Sequence, residues 1–146
     1  MATTTGQKFK LQVRRSFKAS PERLFEAWTA PEELKRWHAP APAVVSLVEI
    51  DARAGGRYRI HMRDPEGREF HVSGEYRVVD RPRRLVFTWK WEHEDITTQV
   101  TLEFKPQGSG TELVLTHEGL PSEASKGRHE HGWNGIFDKL VERFGA

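Results

Sequence analysis

Between residues 44 and 117 the chain repeats one pattern six times: a run of alternating apolar and polar residues, then a connector too short to do anything but turn back. The runs fall at 44–51, 57–63, 70–79, 85–91, 97–104 and 111–117, and a period of two is the signature of a strand with one buried face. The connectors are Gly55-Gly56, Asp64 to Gly67, Asp80 to Pro82, Glu92 to Asp95 and Gly108 to Gly110. Turns of that length cannot carry a crossover, so successive strands must pair antiparallel as a meander.

Alternation also assigns the faces. Tyr58, Ile60 and Met62 share one side of their strand, while Arg57, Arg59, His61 and Arg63 share the other. The apolar side continues through Phe70, Val72 and Tyr76, then Leu85, Phe87, Trp89 and Trp91, then Val100, Leu102 and Phe104, then Leu113 and Leu115. So large an apolar surface needs a cover. The last segment, about 122–144, supplies one: Trp133, Phe137, Leu140, Val141 and Phe144 recur at helical spacing. Gly132 and Gly135 each cost about 1 kcal/mol relative to alanine inside a helix, which predicts a close backbone approach to the sheet or to a ligand. At the other end, Phe9, Leu11 and Val13 alternate as a first strand. Ser20-Pro21 opens a short helix carrying Leu24, Phe25 and Trp28, and Pro31 opens a second with Leu34 and Trp37, stopped by Pro40 and Pro42. The expected fold is α+β: a seven-stranded antiparallel sheet curved around a long C-terminal helix, with two short helices between strands one and two. It is read as one domain over residues 1–146, with its core at about 9–144.

Composition removes several classes of function. Lysine and arginine number 23 against 21 acidic residues, and a net charge of +2 is too small to draw the chain to a phosphate backbone. No nucleic-acid partner is expected, and the arginines at 57, 59 and 63 read as a solvated outer face. Without cysteine there are no disulfides, thiolate metal sites or cysteine nucleophiles. No run approaches the roughly 20 apolar residues of a membrane span, so no membrane association and a cytoplasmic location are expected.

Catalytic constellations are equally scarce. No serine sits in a G-x-S-x-G elbow, and Ser109, between two glycines, reads as a hairpin turn. Glu92, Glu94 and Asp95 form a polar connector whose carboxylates read as solvated. No glycine-rich phosphate loop is present, and no cofactor is expected. His129 and His131 are the closest histidine pair, but side chains two apart on a helix diverge, and neither an H-E-x-x-H spacing nor a cysteine partner exists, so no metal site is expected in the chain. His129 lies four residues before Trp133, at the edge of the apolar stripe. His117 shares parity with Leu113 and Leu115 and reads as a buried histidine satisfied by hydrogen bonding.

Five segments carry a family resemblance: Arg36-Trp37-His38-Ala39-Pro40, Ala54-Gly-Gly-Arg-Tyr58, Arg84-Leu-Val-Phe-Thr-Trp89, Leu115-Thr-His-Glu-Gly-Leu-Pro121 and His129-x-x-Gly132-Trp133-Asn134. In this order and spacing they resemble the bacterial START-like (SRPBCC, helix-grip) domains related to the activator of heat-shock-protein-90 ATPase. The resemblance runs from about Phe9 to Phe144. It implies a lidded cavity and gives no common catalytic residues to carry over. One position departs from it: the family usually has a second tryptophan and a glycine where this chain has His38 and Ala39.

The reading that follows is a non-enzymatic module enclosing a small apolar or aromatic molecule. Its expected lining is Trp28, Trp37, His38, Tyr58, Ile60, Phe70, Tyr76, Phe87, Trp89, Trp91, Leu102, Leu115, His117, His129, Trp133 and Phe137. The opening is expected near Trp37 and His38, with His38 as a polar gate that charges near its ordinary pKa of about 6.5. Two alternatives follow from the resemblance. One is a co-chaperone-like domain that contacts a heat-shock chaperone. The other is a polyketide cyclase or dehydratase, which would require an inward polar pair such as His117 and His129.

Overall fold

The structure is a computed structural model and describes residues 8–145. The chain runs β1 (Phe9–Phe17), α1 (Pro21–Ala27), α2 (Pro31–Trp37), β2 (Val44–Ile50), β3 (Arg57–Arg63), β4 (Glu69–Asp80), β5 (Arg84–Trp91), β6 (Thr98–Gln107), β7 (Gly110–Leu120) and α3 (Glu123–Phe144). The strands form one antiparallel sheet in the order β1-β7-β6-β5-β4-β3-β2. Strands β2 to β7 are the expected meander, and β1 closes the far side against β7, with Val13 opposite Leu115 and Leu11 opposite His117. The two edges, β1 and β2, are consecutive in the chain. The helix pair α1–α2 therefore has to carry the chain from one edge of the sheet to the other.

Local chemistry explains the helix boundaries. The Ser20 hydroxyl accepts from the Arg23 backbone N–H at 3.2 Å and Pro21 takes the first helical position. Ser122 caps α3 in the same way, accepting from the Ser125 N–H at 3.0 Å. Strand β6 outlasts its alternating pattern by three residues and takes in Pro106, past the last β5 pair at Arg84 and Glu103. A proline is tolerated at such an edge position.

Helix α3 lies across the concave face and buries Trp133, Ile136, Phe137 and Leu140. Val141 and Phe144, expected in the same stripe, are half-buried at its rim, and Ile136 is an addition to it. Ion pairs fix the helix at both sides: Arg15 on β1 to Asp138 at 2.7 Å, and Arg143 to Glu33 of α2 at 3.0 Å. Of the two glycines, Gly135 makes a close approach, but to the connector after α2 and not to the sheet: a Cβ there would lie 2.9 Å from the Pro40 Cβ. Gly132 does not: a Cβ there would find nothing within 4 Å. Among the described residues no helix is long and apolar enough to cross a membrane.

Candidate functional site

The inner face of the sheet has two ends that differ in how their rings are packed. At the deep end, Trp28 closes α1, Trp37 ends α2 and His38 follows it directly. The Trp28 and Trp37 rings lie 4.4 Å apart, centroid to centroid, and His38 is 6.0 Å from Trp28 and 6.0 Å from Trp89. Trp28, His38, Tyr58, Ile60, Tyr76 and Phe87 surround a void of only about 10 Å³. The Tyr58 hydroxyl donates to the Thr88 carbonyl at 2.6 Å and the Trp37 indole to the Ala27 carbonyl at 3.2 Å. Three buried polar atoms, Trp28 Nε1, His38 Nδ1 and Trp89 Nε1, have no hydrogen-bond partner among the described residues. Burial without a partner pushes the His38 pKa down to about 4, so the ring is neutral at pH 7.

At the other end α3 stands off the sheet. Pro40, Met62, Trp89, Trp91, Arg128, His129, Gly132, Trp133 and Ile136 line a slot of about 80 Å³. It adjoins a groove of about 220 Å³ whose walls are Phe70, Trp91, His93, Glu94, Arg128 and His129. The slot stays open beside the helix because Gly132 contributes no side chain to it.

Apart from Trp89 Nε1, the buried polar groups here are paired, and tryptophan fixes the tautomers. An indole N–H can only donate. Trp133 Nε1 donates to His117 Nδ1 at 3.0 Å, so the His117 proton sits on Nε2 and points at Thr98 Oγ1, 2.7 Å away. The Thr98 hydroxyl in turn donates to the Trp89 carbonyl at 3.2 Å. Trp91 Nε1 likewise donates to His129 Nε2 at 3.0 Å, which leaves the His129 Nδ1–H for the Ser125 carbonyl at 2.8 Å. The two imidazoles meet edge to face at 4.8 Å. Burial, with a smaller contribution from the neighbouring His129, pushes the His117 pKa down to about 3, and burial also lowers that of His129. Both rings are neutral, with every nitrogen engaged.

The expected lining residues thus separate into groups. Trp89, Trp91, His129 and Trp133 meet at the slot, and Trp28, His38, Tyr58, Ile60, Tyr76 and Phe87 at the closed void. Trp37, Leu102, Leu115, His117 and Phe137 are buried core and line neither. Phe70, at the start of β4, lies at the outer groove and is 38% exposed. The expected opening is also misplaced. Trp37 and His38 are 1% and 2% exposed, and Pro40 just after them is packed against Gly135, so this segment forms a wall. The opening lies instead between Trp91 on the sheet and Arg128 and His129 on α3. A buried His38 with a pKa near 4 is not a gate that charges near 6.5. Sequence reasoning missed Thr98, Ser125 and Arg128. Thr98 shares parity with Val100 and Leu102, and Ser125 lies one helical turn before His129, so both carried a signal; Arg128 did not.

Residues 18–145 match the sequence profile of the family described as activator of Hsp90 ATPase homolog 1-like protein. A comparison with curated proteins found no match. Among solved structures, the AHSA1 protein from Silicibacter pomeroyi is 29% identical with a TM-score of 0.84, covering 92% of this chain and 96% of that one. A protein from Nitrosomonas europaea is 28% identical with a TM-score of 0.78, over 91% and 92%. A protein from Chromobacterium violaceum, 24% identical, shares the fold with a TM-score of 0.87 over 94% and 97%. The chain belongs to the activator of Hsp90 ATPase homolog 1-like family, with that family's helix-grip fold.

Proposed function

We propose that the domain is a non-enzymatic binding module that holds a small apolar or aromatic molecule between α3 and strands β3 to β5. Fold and family support a ligand-binding or co-chaperone-like domain, and the aromatic slot favours the first. Walls of tryptophan, methionine and isoleucine with few polar groups are what small-molecule sites use. The slot and its groove, about 80 and 220 Å³, together reach only the low end of the roughly 300–1,000 Å³ of such pockets. The ligand is accordingly a molecule of one or two rings. A cyclase or dehydratase reading would need His117 or His129 to offer a free nitrogen, and each spends both on neighbours.

Titration with a polarity-sensitive apolar fluorophore tests this. The parent should bind one equivalent saturably. Gly132→Leu should weaken binding at least tenfold by filling the slot, while melting at the same or a higher temperature because leucine is the better helix former. Equal binding by both proteins would place the probe outside the slot, no binding by a folded parent would leave the interior as a packed core, and either result would end the proposal.

A further inference from the structure

On the face of the sheet turned away from α3, two histidines stand directly opposite each other on neighbouring strands, His61 of β3 and His71 of β4. Their rings are stacked with centroids 3.5 Å apart and planes within 10°. Glu69, two residues before His71 and so on the same face, places Oε1 2.9 Å from His71 Nε2. Glu92, just after β5, places Oε1 2.8 Å from His71 Nδ1. One potential ligand atom each from His61, Glu69 and His71 lies within 4.8 Å of the others. Three such atoms share a point at most about 2.8 Å (4.8 Å divided by √3) from each, so side-chain movements of under about 1 Å reach the 2.0–2.2 Å of zinc–imidazole and zinc–carboxylate bonds.

We propose that His61, Glu69 and His71 form a binding site for a divalent transition-metal ion of the zinc type, with Glu92 orienting His71. The arrangement is more than three ligands in proximity. A metal-bound histidine characteristically donates its second ring N–H to a carboxylate, which fixes the tautomer and aims the other nitrogen at the ion. Glu92 already occupies that position at Nδ1, leaving Nε2 and the Glu69 oxygen side by side for the metal. The imidazole and carboxylate donor set suits zinc, nickel or copper. Two features weaken the site. Imidazole lone pairs lie in the ring plane, so two parallel rings cannot both address one ion until His61 tilts out of the stack. Arg59 and Arg63 also flank the site, although Arg59 is engaged by Glu49 at 2.7 Å and Arg63 stands opposite Glu69.

Calorimetric titration of untagged protein with Zn²⁺ alone, at pH 7.5 in a non-chelating buffer, decides the matter. The parent should bind one equivalent. His61→Ala and His71→Ala should each bind at least tenfold more weakly, Glu92→Gln should lose severalfold, and His131→Ala, remote on α3, should match the parent. Glu69→Gln keeps both rings in place and gives the same tenfold loss should an alanine variant unfold. A parent without a saturable one-to-one isotherm, or His61, His71 and Glu69 variants that bind as the parent does, would overturn the site.

Discussion

The two ends of the enclosed face are built from the same residue types and behave oppositely. Around His38 the rings close to a void of about 10 Å³ and two of its polar atoms, Trp28 Nε1 and His38 Nδ1, go without partners. Around His129 the space is roughly eight times larger, yet His117 and His129 are saturated by Trp133, Thr98, Trp91 and Ser125. Aromatic content alone therefore does not mark a site. Along α3 the two glycines act oppositely: at Gly135 the missing side chain lets Pro40 pack against the helix as a wall of the slot, while at Gly132, one turn earlier, the missing side chain leaves open space.

The largest expected effect separates the two buried histidines. His117→Leu strands the Trp133 indole N–H and leaves the Thr98 hydroxyl with only its bond to the Trp89 carbonyl, which should cost about 3 kcal/mol in chemical denaturation. His38→Phe removes an unpartnered polar atom in favour of a ring of similar size, and should lie within about 1 kcal/mol of the parent or above it. Equal losses in the two variants would erase the distinction between the ends.

Acid should expose the same pair with a smaller effect per residue. Both pKa values fall on folding, His38 to about 4 and His117 to about 3. Protons are then taken up preferentially by the unfolded chain, so the stability these rings contribute is present above about pH 6.5 and is lost as pH falls below it. Between pH 7 and pH 5 the loss should be about 2 kcal/mol for each ring. His38→Phe should retain its own share, and a parent and variant with identical pH profiles would show that His38 is not held neutral by burial.

Element types were legible because alternation and helical spacing are written in single residues: Tyr58, Ile60 and Met62 pointed inward as parity required, and Ser20 capped its helix. The placement of β1 beside β7 was not legible, since no turn joins them. The site was half legible. Parity put Trp89 and Trp91, and helical spacing Trp133, on the enclosed face, but parity is blind to depth along a strand, so it did not show that Phe70 lies in the outer groove, 38% exposed. The opening was misplaced for a related reason. Prolines at 40 and 42 signal an interruption of regular structure, and whether such a segment is loose or wedged depends on a glycine 95 positions away in sequence. The cross-strand pair of His61 and His71 was hidden because register, and not parity, brings them together.

The central claim is that a ligand enters at the slot end and not at the His38 end, and the five indole N–H signals in a ¹H–¹⁵N spectrum report on both. Adding an aromatic probe of one or two rings should shift the Trp89, Trp91 and Trp133 indole signals and the Gly132 amide in proportion to occupancy, while those of Trp28 and Trp37 stay in place. Shifts confined to Trp28 and Trp37, or no shift in any indole at saturating probe, would contradict it.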